Sequence, residues 1–132
     1  MSQTKVLLVD DEVEFTLALA ERLQLRKYDV RTAGSALEAL AFIHDRPPDV
    51  IILDLKIPGM DGIETLKTIK TLDPSIEVIM LTGHGDAESV EEGIKNGAFE
   101  YIMKPVDIGE LITKIEKAMV KRESDRRREP GV

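Results

Sequence analysis

The sequence has 132 residues, 42% of them apolar, which suits a single domain with its own core. It has no cysteine and a formal net charge of −7, which excludes disulfide frameworks and thiolate metal sites and disfavours nonspecific nucleic-acid binding. Residues 1–10 lack a signal-peptide pattern and no apolar run reaches membrane-spanning length, so we expect a soluble, cytoplasmic protein with no direct nucleic-acid or membrane partner.

Five short apolar runs predict five β-strands. The runs are Lys5–Val9, Asp29–Ala33, Val50–Leu53, Glu77–Leu81 and Glu100–Met103. The first, third and fourth runs are rich in valine, isoleucine and leucine and do not alternate with polar residues. That pattern is typical of strands buried on both faces of a parallel sheet.

Apolar residues at helical spacing lie between these runs. The clearest stripe predicts the last helix and consists of Ile108, Leu111, Ile112, Ile115 and Met119. Asp11 followed by Glu14 has the spacing of a capping box and predicts the start of the first helix. The strict alternation of strand and helix predicts an α/β fold with a parallel sheet and right-handed crossovers.

Two stretches have a weaker pattern. The fourth helix, within Asp86–Ala98, has few apolar residues, and Gly93 and Gly97 each cost roughly 1 kcal/mol relative to alanine in a helix interior. It is interpreted either as a mobile element or as a thin surface helix. From Lys121 onward the sequence is charged and has no apolar stripe. We therefore predict a domain over residues 1–120 and a charged tail or the start of a linker over residues 121–132.

Chemically capable side chains follow the ends of four predicted strands. They are Asp10 with Asp11 and Glu12, then Asp54, Thr82 and Lys104. Each alone has a simpler explanation: Asp11 as a helix cap, for example, or Asp54 as the start of the turn at Pro58-Gly59. Because the carboxyl ends of parallel strands share one sheet edge, where ligands bind in open α/β sheets, we expect these residues to converge on one pocket.

The chemistry of such a pocket favours a metal ion. Clustered carboxylates repel one another, and a bound divalent cation removes that repulsion. Oxygen ligands in a site open to solvent favour Mg²⁺. A carboxylate beside Mg²⁺ can attack phosphorus. The metal, the Lys104 ammonium and the Thr82 hydroxyl can then each bind one phosphoryl oxygen.

At these residues the sequence resembles the receiver domains of two-component response regulators. The matching motifs read VLLVDDE, IILDLKIPGMDG, VIMLTG and YIMKP, in the family's order, over roughly residues 4–120. The resemblance implies a single doubly wound, five-stranded parallel sheet of flavodoxin-like order 2-1-3-4-5 with five helices. It also implies a signalling domain rather than a metabolic enzyme.

The resemblance assigns a role to each residue of the pocket. It implies that Asp54 is the phosphoacceptor and that Thr82 and Lys104 bind the phosphoryl group. It implies that Mg²⁺ is bound directly by Asp11 and Asp54, by Asp10 largely through water, and by the backbone carbonyl of Lys56.

The resemblance also assigns roles around the pocket. The peptide bond between Lys104 and Pro105 is expected to be cis, as in relatives. Tyr101 matches the family's switching aromatic, although it also suits a strand residue with its hydroxyl at the surface. Lys56 and His84, two residues after Asp54 and Thr82, match positions that influence phosphoryl lifetime in relatives. The alternative is that both are exposed loop residues.

The implied phosphodonor is a phosphohistidine on a sensor histidine kinase or a histidine phosphotransfer protein. A homodimer through the face formed by helix 4, strand 5 and helix 5 is a further implied partner. The alternative function is a phosphorylation-independent interaction module on the same fold. The output stays open between a stand-alone regulator and the amino-terminal part of a transcription factor.

Two small-molecule proteins of similar architecture fit the sequence less well. A flavin carrier needs a phosphate-cradling loop after the first strand, where this chain has Asp10-Asp11-Glu12. A haloacid-dehalogenase-type phosphatase needs a second aspartate two residues after the nucleophile, where this chain has Lys56.

Overall fold

The computed structural model describes residues 3–83 and 86–127, which alternate strictly between strand and helix. The elements are β1 (Lys5–Val9), α1 (Val13–Leu25), β2 (Asp29–Ala33), α2 (Ala36–Asp45), β3 (Val50–Asp54), α3 (Gly62–Leu72), β4 (Glu77–Thr82), α4 (Ala87–Lys95), β5 (Glu100–Met103) and α5 (Ile108–Arg127). The strands form one parallel sheet in the order β2-β1-β3-β4-β5. The predicted fold class and strand order are confirmed.

The register of the central strands brings their carboxyl ends to one edge of the sheet. Leu53 of β3 is level with Val9 of β1 and with Met80 of β4. β3 and β4 each extend one residue beyond the predicted strand, so they end at Asp54 and Thr82. The polar residues predicted to form a pocket therefore leave the sheet side by side.

Alternate residues of the strands point into two aliphatic clusters, one on each face. One cluster joins the sheet to α1 and α5 and includes Leu23 and Ile115. The other joins it to α2 and α3 and includes Ile43 and Leu66. Full burial of each such side chain contributes about 1.5–3 kcal/mol, so these clusters hold the strand ends in fixed positions.

The first helix begins differently from the prediction. Glu12, not Asp11, precedes the first helical residue, and its side chain makes no capping hydrogen bond. The amide N–H of Glu12 instead donates to Asp10 Oδ1 at 2.9 Å. The predicted capping box is wrong because the turn after β1 is held by Asp10 and the Glu12 side chain points elsewhere.

The two glycines of the fourth helical region have specific structural roles. Gly93 is buried, and a Cβ atom there would lie 2.1 Å from Sδ and 2.7 Å from Cε of the fully buried Met80. Gly97 follows the helix with a φ of +102°, in the left-handed region that favours glycine. Gly93 thus allows α4 to pack closely on β4, and the predicted mobility of this helix stays a prediction.

Replacing Gly93 with alanine is expected to destabilise the protein by about 1–3 kcal/mol, because the added methyl group overpacks against Met80. In a solvent-facing helix the same change would stabilise by about 1 kcal/mol. Urea unfolding measures the sign of the change in the free energy of unfolding. Gly109→Ala is the matched control, because Gly109 is exposed in α5 and its Cβ would meet nothing closer than 3.9 Å. Equal gains for both variants would contradict close packing at Gly93.

The last helix is longer than its apolar stripe. It continues past Lys121 to Arg127, so residues 121–127 are helical, and their assignment as a charged tail or the start of a linker stays a prediction. The Arg122 side chain is buried, its Nε lies 3.2 Å from Asp49 Oδ1, and its Nη1 donates to the Ser75 carbonyl and, at 2.9 Å, to Ser75 Oγ. These polar contacts stabilise the helix beyond the end of its apolar stripe. Residues 128–132 lie outside the described residues.

A domain boundary near residue 120 stays a prediction. The part of the chain that the structure describes contains no helix long and apolar enough to cross a membrane.

Candidate functional site

Four side chains meet at the carboxyl edge of the sheet. Asp10 follows β1, Asp54 ends β3, Lys104 follows β5 and Glu12 lies in the turn before α1. The Lys104 Nζ atom lies 2.9 Å from Asp10 Oδ2, 2.8 Å from Glu12 Oε1 and 3.1 Å from Asp54 Oδ2. One ammonium therefore bridges three carboxylates that arrive from different elements.

The Asp54 carboxylate is buried and held on both oxygens. It is 5% exposed, its Oδ1 accepts the backbone N–H of Lys56 at 2.8 Å, and its Oδ2 accepts the Lys104 ammonium. These two contacts fix the rotation of the carboxylate at the end of the most central strand. A group held in this way is positioned for reaction with a partner that approaches from the open edge of the sheet.

Burial and charge act in opposite directions within the site. Burial raises the pKa of the Asp10 carboxyl, and the nearby Asp54 charge adds to the rise, while the Glu12 amide and Lys104 oppose it. Burial works to lower the pKa of the Lys104 ammonium, but contacts with Glu12, Asp10 and Asp54 outweigh it and raise the pKa above its ordinary value. Lys104 is therefore a permanent cation at neutral pH.

The acids of the site fit a divalent cation. One carboxylate oxygen from each of Asp10, Glu12 and Asp54 lies within 4.8 Å of the others. Three carboxylates around one ammonium leave an excess of two negative charges, and carboxylate oxygens are the ligands that Mg²⁺ prefers. Asp11, predicted to bind the metal directly, is exposed and is not a member of this group.

Glu12 is the residue to which sequence reasoning gave no role. It follows the first strand, and its side chain accepts a hydrogen bond from Lys104. Its position next to Asp10 and Asp11 was the available signal. The sequence alone did not indicate which of three consecutive acids turns toward the lysine.

Thr82 lies beside the charged group with its hydroxyl unused. It is 3% exposed, and its Oγ1 has no hydrogen-bond partner within residues 3–83 and 86–127. Its backbone carbonyl accepts the N–H of Lys104 at 2.9 Å, which ties the ends of β4 and β5 together. A buried hydroxyl without a partner carries an energetic cost that an incoming acceptor can remove.

A groove between α4 and β5 leads away from Thr82. Its lining includes Thr82, Gly83, Asp86, Val90, Tyr101 and Met103. Tyr101 is 37% exposed, its ring lies 5.0 Å from Lys114 Nζ, and Lys114 also donates to the Tyr101 carbonyl. In this structure Tyr101 is a surface strand residue, which was one of its two interpretations.

Lys56 connects the loops that follow β3 and β4. Its Nζ lies 3.4 Å from Asp86 Oδ1, and Asp86 Oδ2 accepts the N–H of Gly83 at 3.1 Å. The Lys56 side chain is largely exposed, at the open side of the site. His84, which the sequence paired with Lys56, lies outside the described residues. The Lys104–Pro105 peptide bond is cis, as predicted.

Known proteins match this chain over most of its length. A family profile described as response regulator receiver domain matches residues 6–116. Sporulation initiation phosphotransferase F of Bacillus subtilis (strain 168) is 38% identical over 117 residues, which cover 89% of this chain and 94% of that protein. The crystal structure of the receiver domain of NtrX from Brucella abortus superposes with a TM-score of 0.82 at 38% identity, covering 86% of this chain and 96% of that one.

Other relatives are much longer than this chain. Transcriptional regulatory protein ZraR of Escherichia coli (strain K12) is 36% identical over 114 residues, which cover 86% of this chain but 26% of that protein. A longer crystal structure of NtrX from Brucella abortus superposes with a TM-score of 0.89 at 36% identity, covering 96% of this chain and 29% of that one. This chain thus corresponds to nearly all of some relatives and to about a quarter of others.

Proposed function

Because this chain belongs to the family of response regulator receiver domains, we propose that it is a phosphorylation switch in which Asp54 accepts a phosphoryl group. The observation that carries the proposal is the buried Asp54 carboxylate held at 3.1 Å from the Lys104 ammonium, beside Asp10. The proposed donor is a phosphohistidine on a sensor histidine kinase or a histidine phosphotransfer protein. The domain catalyses its own phosphorylation and dephosphorylation and is not a metabolic enzyme.

The proposed transfer uses few protein groups. A carboxylate oxygen of Asp54 forms a bond to phosphorus as the phosphorus–nitrogen bond of the donor breaks, and the electron pair leaves with the imidazole. The Lys56 N–H orients the carboxylate before transfer, and the Lys104 ammonium lies beside it. Lys104 and the free Thr82 hydroxyl then bind phosphoryl oxygens. Water later hydrolyses the acyl phosphate and resets the domain.

Magnesium is the proposed cofactor of this reaction. Asp10, Asp11, Asp54 and the Lys56 carbonyl are the groups proposed to hold it. When bound, Mg²⁺ neutralises negative charge on the phosphoryl oxygens, which lowers the barrier to transfer. The clustered Asp10 and Asp54 carboxylates support the proposed role of these two acids.

The proposed switch runs from Thr82 to the face of α4, β5 and α5. Movement of the Thr82 hydroxyl toward a phosphoryl group opens space at one end of the groove that Tyr101 borders. Tyr101 then turns inward from its exposed position and changes the surface offered to partners, which include a second copy of the chain. A change from mostly inactive to mostly active needs about 5.5 kcal/mol of differential stabilisation.

The test of the proposed function is labelling by a small acyl phosphate with and without Mg²⁺. We expect one phosphoryl group per chain, only with the metal, on the peptide that contains Asp54. The second candidate, a phosphorylation-independent interaction module, is supported by the resting contact between Lys104 and three acids, which is complete without a phosphoryl group. Absence of labelling in a folded, Mg²⁺-loaded protein would favour that candidate. Cytoplasmic location is part of the proposal.

Lys56 is proposed to lengthen the lifetime of the phosphoryl group. Lys56 lies two residues beyond Asp54 in the chain, and its largely exposed side chain pairs with Asp86. The proposed effect is to limit the approach of water to the phosphoryl group. Lys56→Ala is expected to hydrolyse its phosphoryl group severalfold faster, up to about tenfold, which corresponds to about 1.4 kcal/mol. Loss of label after removal of the donor measures the rate. His84→Ala is compared in the same assay.

Lys67→Ala is the control for this prediction, because Lys67 is an exposed lysine of α3 that pairs with Glu64. A lifetime unchanged in Lys56→Ala, or changed equally in Lys67→Ala, would contradict the role of Lys56.

A further inference from the structure

The Lys104 ammonium has two kinds of partner. Asp10 and Asp54 hold it from the interior, where their side chains are 1% and 7% exposed. Glu12 holds it from the solvent side, where its side chain is 62% exposed. The contact with Glu12, at 2.8 Å, is the shortest of the three. Lys104 therefore lies between a buried acidic pair and an exposed acid.

The first turn of α1 offers Lys104 a second contact beside Glu12. The ring centroid of Phe15 lies 4.7 Å from Lys104 Nζ, within the range of a cation–π interaction. Glu12 immediately precedes α1 and Phe15 lies in its first turn, and both side chains contact the Lys104 ammonium. Together they form a seat for an ammonium, with a carboxylate on one side and an aromatic face on the other.

The interior pair is also where the proposed function places Mg²⁺. A metal held by Asp10 and Asp54 would compete with Lys104 for these two acids, because two cations at such short range repel each other. Lys104 must then loosen its contacts with the interior acids. The contacts with Glu12 and Phe15 allow Lys104 to loosen its interior contacts and still remain in the site.

Resting on the proposed function, we propose that Glu12 is a positioning residue that favours Mg²⁺ binding by holding Lys104, without being a ligand of the metal. Glu12 would hold the ammonium on the solvent side of the interior acids when the metal is bound. Phe15 supports the same position. This role accounts for the Glu12 side chain, which accepts a hydrogen bond from Lys104 and does not cap α1.

A double-mutant cycle tests this role by isothermal titration of Mg²⁺. Glu12→Gln is expected to bind Mg²⁺ about two- to fivefold more weakly than the wild type, the range of a partly exposed ion pair. Lys104→Met is expected to bind Mg²⁺ more tightly, because the competing cation is gone. In the Lys104→Met background, Glu12→Gln is expected to have no further effect. Phe15→Leu is expected to weaken binding in the same direction as Glu12→Gln.

Each alternative gives a different result. If Glu12 were a ligand of the metal, Glu12→Gln would weaken binding equally with and without Lys104, and the proposal would be overturned. Glu14→Gln removes the same charge from an exposed position two residues away, and an equal loss there would reduce the effect to general electrostatics and overturn the proposal. Wild-type affinity in Glu12→Gln would overturn it as well. Failure of the wild type to bind Mg²⁺ would instead refute the metal site of the proposed function.

Discussion

Replacing Asp54 with alanine is expected to reduce phosphoryl labelling to the level of a protein-free reaction. The carboxylate is the proposed nucleophile, and a methyl group has no oxygen that can bond to phosphorus. The loss should hold with a small acyl phosphate and with a phosphohistidine donor, since both need the same acceptor. Incorporated label and the mass of the intact protein measure it.

Two comparisons make the Asp54 result specific. Asp45→Asn removes an exposed acid of α2 and should label normally. Urea unfolding of Asp54→Ala separates lost chemistry from lost folding. Asp54 supplies one of three acids around Lys104, so the variant should remain folded. Label that persists on another residue of a folded variant would show that the acceptor has been assigned wrongly.

Replacing Lys104 with methionine is expected to slow phosphorylation about 10²- to 10³-fold, the usual loss when one preorganised donor to a transition state is removed. Methionine keeps much of the length and packing of the side chain but no charge. Initial rates of labelling are measured at saturating Mg²⁺, because the variant should bind the metal more tightly. Saturation therefore isolates the contribution of the ammonium to transfer.

The control for Lys104 is Lys117→Met, which removes an exposed lysine from α5. It should phosphorylate at the wild-type rate. A fall of less than about tenfold in Lys104→Met, or about 1.4 kcal/mol, would show that the ammonium contributes little to the transition state and serves mainly to balance the charge of the acids.

Residues at strand ends were predictable because the sheet itself aligns them. Parallel strands in register must end at one edge, so runs that finish at Asp54, Thr82 and Lys104 bring those residues together whatever the details of the loops. The alternation of apolar runs with helical spacings likewise predicted the order of the elements along the chain. Hydrophobic patterning and topology are enough for this level of description.

The features that the sequence did not reveal depend on side-chain direction or on distant contacts. The choice of Glu12 over Asp11 as the partner of Lys104 is made by the turn after β1, where the amide of Glu12 donates to Asp10. The close packing of Gly93 against Met80 needs the position of α4 over β4. Local patterns do not contain either piece of information.

The attachment of Arg122 ties α5 to the loops that precede β3 and β4. The helix starts at Ile108, near the site, and Arg122 fastens it to Asp49 and Ser75 at the opposite edge of the sheet. About 20 Å of stiff helix separates the two points. Between these points Leu111, Ile115 and Ala118 are fully buried, so α5 is also held against the core along its length. The contacts of Arg122 therefore anchor α5 at the edge of the sheet opposite the site.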